Sequence, residues 1–267
     1  MFSFSYKKED GSRDLDNPII QNVVGNTQIV LCDNNNPVAY EKIEGDISPK
    51  IILVMSGGTQ REKIHLRALQ DTIFHSCLKF IFLADDRAKP KWMCDYWKRL
   101  NGEITVNNQK IKLASIDESF FITDVDEYGG DILQLMQQGE PKDAEWIISN
   151  PCIEIWLYYC YFDNPKTDLA EMVLLSEKER SQWLKGKLPE LKKGGIDPRK
   201  AFENIKLGMD NARKNYSENP SNHFPDLFST QMYLFSEKIF NTIEKPFQDL
   251  LAAKEEKIRQ FKKKMEM

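Results

Sequence analysis

Four apolar runs, spaced by segments of helical periodicity, constrain this chain more than any other feature. "PKIILVMSGG" has five apolar residues in a row, bounded by Pro49 and Gly57. "LKFIFLADD", "ESFFITDVD" and the shorter "AEWIIS" repeat the theme. Continuous rather than alternating runs of this length read as strands buried on both faces. Between them, "TQREKIHLRALQDTIFHSC" places Ile64, Ala68, Leu69 and Ile73 at turn spacing, and "KPKWMCDYWKRLN" spaces Trp92, Tyr96 and Leu100 by four. "GGDILQLMQQ" reads as a shorter helix. Strand–helix alternation of this kind predicts an α/β fold: a mostly parallel, four-stranded sheet flanked by helices.

The rest of the chain is organised around that unit. Residues 1–48 are rich in Asn, Asp and Gly, with β-like pieces at "QIVLC" and "VAYEKI", and read as an N-terminal β/loop extension. Residues 49–150 form the α/β domain, in which "GEITVNNQKIKLA" reads as a hairpin turning at Asn107-Asn108. Residues 151–267 read as a mostly helical region packed on that core, with a charged loop near "KLPELKKGGIDPRK". The Lys/Glu-rich tail "AAKEEKIRQFKKKMEM" reads as a solvated helix.

Composition narrows the class. A net charge of −4 is not that of a strongly basic nucleic-acid binder, though it leaves room for a local basic groove. The five cysteines, Cys32, Cys77, Cys94, Cys152 and Cys160, form no C-x-x-C pair and point to reduced thiols in a cytoplasm. The N-terminus has no apolar stretch of signal-peptide length. "IEIWLYYCYF" is about half a membrane span and holds a glutamate, so no membrane partner is expected. An oligomer is compatible with all of this.

In open parallel sheets, sites lie beyond the carboxyl ends of the strands. Asp124 and Asp126 stand at such an end, and so does Ser56. Residues two apart on an extended chain point to the same side, so the two carboxylates converge. Convergent carboxylates repel unless a cation or proton lies between them. Oxygen-only ligands suit Mg²⁺ or Mn²⁺ rather than zinc. Gly129-Gly130 would let a phosphate approach the next helix closely. The plainer alternative is a solvated loop in which Asp126 or Glu127 caps that helix.

"SNPCIEIWLYYCYF" is the second signal. Ser149 or Asn150 is placed to cap a helix with Pro151 in its first turn, followed by an apolar stripe of Ile153, Trp156, Leu157, Cys160 and Tyr161. Glu154 then either serves the helix dipole or belongs to the acid cluster as a third carboxylate or an orienter. His65, His75 and His223 show no ligand spacing and read as structural. The aromatics at 156–162 read as core.

Those same strings carry a resemblance. "SNPCIEIWLYYCYF" resembles the S-N-P-x-F-E-x-W-L-L-x-H-F signature of the RloB/AbiLii-like family, Toprim-domain proteins of bacterial phage defence. "KIILVMSGG" and "FFITDVDEY" sit where that family has a strand ending in Glu-Gly and the Toprim D-x-D. "MDNARKNYSENPS…FSTQMYLFSEKI" is similar to its C-terminal helices. The likeness spans about residues 50–243. It implies a Toprim core, magnesium, phosphodiester chemistry on RNA or DNA, and an ATPase partner protein. Asp124 and Asp126 would be the metal ligands, supported by Glu154 and Asn150, with Arg61, Lys63 or Lys91 meeting phosphates.

One departure from the pattern bears on catalysis. Where the family carries a glutamate at the end of the first strand, this chain has Ser56, and the nearby T-E is replaced by "TQRE", with Glu62 one residue displaced. Serine is a poor base and a weak magnesium ligand. Either Glu62 or Glu154 takes the role, or the protein is a degenerate Toprim module that binds without cutting.

Overall fold

The computed structural model describes residues 19–22, 28–31, 50–57, 61–72, 78–84, 89–106, 109–115, 117–126 and 128–265. The strands are β1 (Ile19–Asn22), β2 (Gln28–Leu31), β3 (Lys50–Ser56), β4 (Leu78–Ala84), β5 (Glu103–Val106), β6 (Gln109–Lys112), β7 (Glu118–Asp124) and β8 (Glu145–Ser149). The helices are α1 (Arg61–Thr72), α2 (Pro90–Leu100), α3 (Gly129–Gln137), α4 (Glu154–Tyr159), α5 (Pro165–Asp168), α6 (Glu177–Leu191), α7 (Pro198–Ala201), α8 (Ile205–Asn215) and α9 (Met232–Met265), with two short 3₁₀ turns.

The main sheet runs β1-β2-β4-β3-β7-β8. Its pairings β3–β4, β3–β7 and β7–β8 are parallel, while β1–β2 and β2–β4 are antiparallel. The fold is thus mixed α/β. β2 falls within "QIVLC", so part of the N-terminal extension extends the sheet; β1 had no reading of its own, and "VAYEKI" lies outside the described residues. β5 and β6 form the expected hairpin, with Val106 opposite Gln109, and Asn107-Asn108 likewise lie outside the described residues.

Side-chain alternation splits the core in two. Ile52, Val54, Phe120, Ile122 and Ile147 face α1, α4, α6, α8 and α9. Ile51, Leu53, Met55 and Phe121 face α2 and the hairpin. Aromatic edges seal both sides: Phe120 meets Phe235 with ring centres 5.0 Å apart, and Phe121 meets Trp97 and Trp146. α3 closes a smaller cluster of Val125, Ile132 and Ile148.

Residues 151–160 are buried without exception, so α4 is a core helix and not the amphipathic one that a stripe implies. Its aromatics are core, as the sequence suggests. Burying a side chain such as Trp156 is worth about 2–3 kcal/mol. Far along the chain, residues 254–260 of α9 are exposed, as expected for the charged tail. Among the described residues no helix is long and apolar enough to cross a membrane.

Candidate acid cluster at the carboxyl end of the sheet

Strand register puts Ser56 and Asp124 on one face, while Asp126 stands beyond the end of β7 in the turn that follows, so extended-chain spacing is not what brings the two aspartates together. Ser56 pairs with Ile122, and Asp124, two residues on, pairs with Ser149. Ile52, Val54, Phe120 and Ile122 belong to the core on the α4 side, so Ser56 and Asp124 continue that same face past the apolar stretch. Glu62 enters from the first turn of α1 and Glu154 from the first turn of α4. Ser56 is 1% exposed, Glu62 9% and Glu154 1%. Asp124 and Asp126 keep partial access to solvent.

The turn that carries the two aspartates is stitched to the S-N-P segment. Val125 N–H is shared between the carbonyls of Ser149 and Pro151 at 3.0 and 3.1 Å, and Asp126 N–H donates to Pro151 at 3.2 Å. The C-terminal "FST" segment locks this turn from the other side. Ser149 Oγ lies 2.8 Å from Thr230 Oγ1, Asn150 N–H donates to Ser229 O, and Phe228 N–H donates to Asn150 O. Buried backbone groups need partners, and here each segment supplies the other's. The S-N-P and "FST" segments, far apart in sequence, thus form one scaffold beneath the aspartates.

Several expectations are corrected here. Ser149 and Asn150 do not cap α4: Ser149 ends β8, the peptide before Pro151 is cis, and the helix begins only at Glu154. The free N–H of Ile153 is instead taken by Asp124 Oδ1 at 2.9 Å. α3 takes Tyr128 as its N-cap residue, without a side-chain cap bond, so Asp126 is not its N-cap. Gly129 is small for packing, because a Cβ there would lie 3.2 Å from Val125 Cγ1; Gly130 faces open space.

Of the phosphate-binding candidates, Arg61 joins the cluster, pairing through Nη1 with Glu154 Oε1. Lys63 is half-buried on α1. Lys91 is exposed on α2, the helix of the opposite face. Asn150 spends its amide on the carbonyl of Pro225 at 2.9 Å. His65 is structural: Trp156 Nε1 donates to its Nε2 at 2.9 Å, and its Nδ1 lies 3.2 Å from Pro198 O. Burial holds it neutral, its pKa lowered to about 4. His75 lies outside the described residues, and His223 is exposed beside Glu218.

Lys185 of α6 was not foreseen. Its Nζ is 4.0 Å from Glu154 Oε1. Burial alone would lower its ammonium, but Glu154, Asp124 and Asp126 together hold it above the usual lysine range. No local pattern marks one lysine of a lysine-rich helix; only tertiary packing brings it to Glu154.

The electrostatics follow. Burial, then repulsion from Glu62, Glu154 and Asp126, pushes the Asp124 carboxyl well up. Burial, then Glu154, raises Glu62. Four carboxylates thus share one poorly solvated place with two cations. The carboxylate donors are oxygen, and Glu154 Oε2 has no nitrogen or oxygen partner; the buried Cys152 thiol lies beside Glu154, pushed well up by burial and then by Glu154 and Asp124. In donor chemistry the cluster fits a hard divalent cation. Among the described residues no three acidic, cysteine or histidine side chains already stand in coordinating array. A separate cavity of about 540 Å³, lined by Trp97, Lys98, Asp117 and Glu140, opens near the start of β7, away from the acids. There the Asp117 carboxylate is spent on the N–H groups of Ile51 and Ala114.

The family model described as RloB-like protein matches residues 52–239, a span that holds every acid of the cluster as well as Lys185. No curated protein and no solved structure matches the chain significantly.

Proposed function

Given that the chain belongs to the RloB-like family, we propose that it is a Mg²⁺-dependent phosphodiester hydrolase of antiphage defence, built on a Toprim-type core and acting on RNA or DNA with an ATPase partner protein. The observation that carries this reading is the placement of Asp124 at the carboxyl end of a parallel strand, with Glu62 and Glu154 arriving from the first turns of α1 and α4 and Asp126 in the turn that follows. Such crowding is costly without a counter-cation.

Asp124 and Asp126 would hold Mg²⁺ or Mn²⁺. Such an ion supplies charge neutralisation at a phosphoryl group and a more acidic water. Asp124 keeps its orientation through the N–H of Ile153, and the backbone of Asp126 is tied to Pro151. Glu62, whose raised carboxyl shares the cluster, takes the proton-accepting role that Ser56 lacks.

Thermal melts with and without Mn²⁺ test the site, since a ligand of the folded state alone stabilises it by mass action. The wild type should gain and Asp124→Asn/Asp126→Asn should not. Cleavage of generic RNA and DNA, with the partner supplied, tests the activity. One observation favours a second reading, a binding module without cleavage: β3 ends in Ser56, so the position lacks a carboxylate. A Mn²⁺-dependent melt with no cleavage of either nucleic acid would select it.

A further inference from the structure

Glu154 is almost wholly buried, yet the cations that neutralise it come from the surface. Arg61 and Lys185 have side chains 40% and 45% exposed. Both cations address the same oxygen, Oε1, Arg61 in direct contact and Lys185 from 4.0 Å, while Oε2 has no nitrogen or oxygen partner and the buried Cys152 thiol lies against the carboxylate. On the turn of α6 before Lys185, Ser181 is 5% exposed, and its Oγ has no nitrogen or oxygen partner and faces the same Cys152 thiol. Leaving buried polar atoms unpaired is unfavourable. Arg61 in contact with one oxygen and Lys185 4.0 Å from it, with no cation at the second oxygen, hold the buried carboxylate from one side only.

We propose that Arg61 and Lys185 form a phosphate-binding site, paired with Glu154 in this structure and released to a nucleic-acid phosphodiester when a divalent cation takes over the carboxylates. This rests on the metal reading above and adds a gate to it. A divalent ion and the two monovalent groups compete for the same oxygens. Once the acids are neutralised, a guanidinium and an ammonium remain at a half-exposed edge beside them. The guanidinium fork matches two phosphate oxygens, and the ammonium adds a point charge. Metal and phosphate then raise each other's affinity, by the reciprocity of linked sites. Lys185 acts with opposite sign on the two ligands, opposing the metal and attracting the phosphate. A lysine serving only the packing of α6 on α4 has no such pair of effects.

Calorimetry on the full chain tests this with two probes: Mn²⁺ alone, and a short phosphorothioate-linked oligothymidylate with and without Mn²⁺. In the wild type, Mn²⁺ should tighten oligonucleotide binding by about tenfold, within the usual range of coupling. Lys185→Met should bind Mn²⁺ about tenfold more tightly than the wild type, because a nearby positive charge is gone, and should lose the coupling. Lys185→Arg should keep it. If Mn²⁺ binds and Lys185→Met changes neither its affinity nor the coupling, the gate is wrong and the metal site stands. If Mn²⁺ does not bind the wild type, the metal reading and the gate fall together.

Discussion

The Asp124 carboxylate accepts the backbone N–H of Ile153 at 2.9 Å, across twenty-nine positions of chain. One side chain thus ends β7, starts the turn into α4 and stands at the centre of an acid cluster. It is both a helix-entry partner and the most perturbed carboxyl of the site.

Two substitutions separate those duties. Asp124→Asn and Asp124→Ala both remove the charge, but only Asn retains an acceptor for Ile153. Urea unfolding should therefore place Asp124→Ala about 1–3 kcal/mol below Asp124→Asn, the usual penalty of an orphaned buried donor. Equal stability of the two variants would show that the bond contributes nothing.

His65 predicts an acid dependence. Its folded pKa of about 4 lies below the value of about 6.5 for an unfolded histidine. Between those values the unfolded chain binds more protons, so stability present above about pH 6.5 is lost as pH falls toward 4. The raised Asp124 and Glu62 carboxyls work in the opposite sense and partly offset the loss. Comparison with His65→Gln isolates the histidine. The wild type should lose up to about 3 kcal/mol more than the variant over that interval, and parallel pH profiles would count against a neutral buried His65.

The sequence was most legible where structure is local. Runs such as "IILVM" and "FFIT" read directly as strands because continuous apolar residues suit burial on both faces. The strand end points to Asp124 and Asp126, and the family likeness offers Glu62 or Glu154 for one further role; in the structure both reach Asp124. What escaped was set by distant packing. Ser149 and Asn150 have good capping chemistry, but Thr230, Pro225 and the backbone of Phe228–Ser229 claim their polar groups. Lys185 gives no spacing signal at all, since its relation to Glu154 exists only once α6 lies on α4. Gly129 also packs closely on Val125, a contact that no local pattern announces.

Gly208 makes a related prediction on α8. A Cβ there would lie 2.9 Å from Cys160 Sγ and 3.1 Å from the Trp156 ring. Alanine normally gains about 1 kcal/mol over glycine inside a helix. Here overpacking of about 1–3 kcal/mol opposes that gain. Gly208→Ala should be neutral to destabilising in chemical denaturation, and the ring it displaces is the one bonded to His65. A clear stabilisation would mean that α8 yields freely to α4.

Ser56→Glu tests how the cluster manages its charge. Ser56 is 1% exposed and lies in register with Ile122, on the face that carries Asp124. Glu62 already reaches this cluster from α1 and feels Glu154. A glutamate at 56 therefore adds a fifth carboxylate to a place where two are already pushed upward by burial and repulsion. In chelator the variant should melt several degrees below the wild type. Mn²⁺ should restore more of that loss than it adds to the wild type, because the extra charge is then a ligand. If Glu62 or Glu154 fills the proton-accepting role of the proposed hydrolase, cleavage should stay level or fall. The opposite pattern, an unchanged melt with Mn²⁺-dependent cleavage raised and then abolished by Asp124→Ala, would assign that role to position 56 and leave Glu62 outside the chemistry.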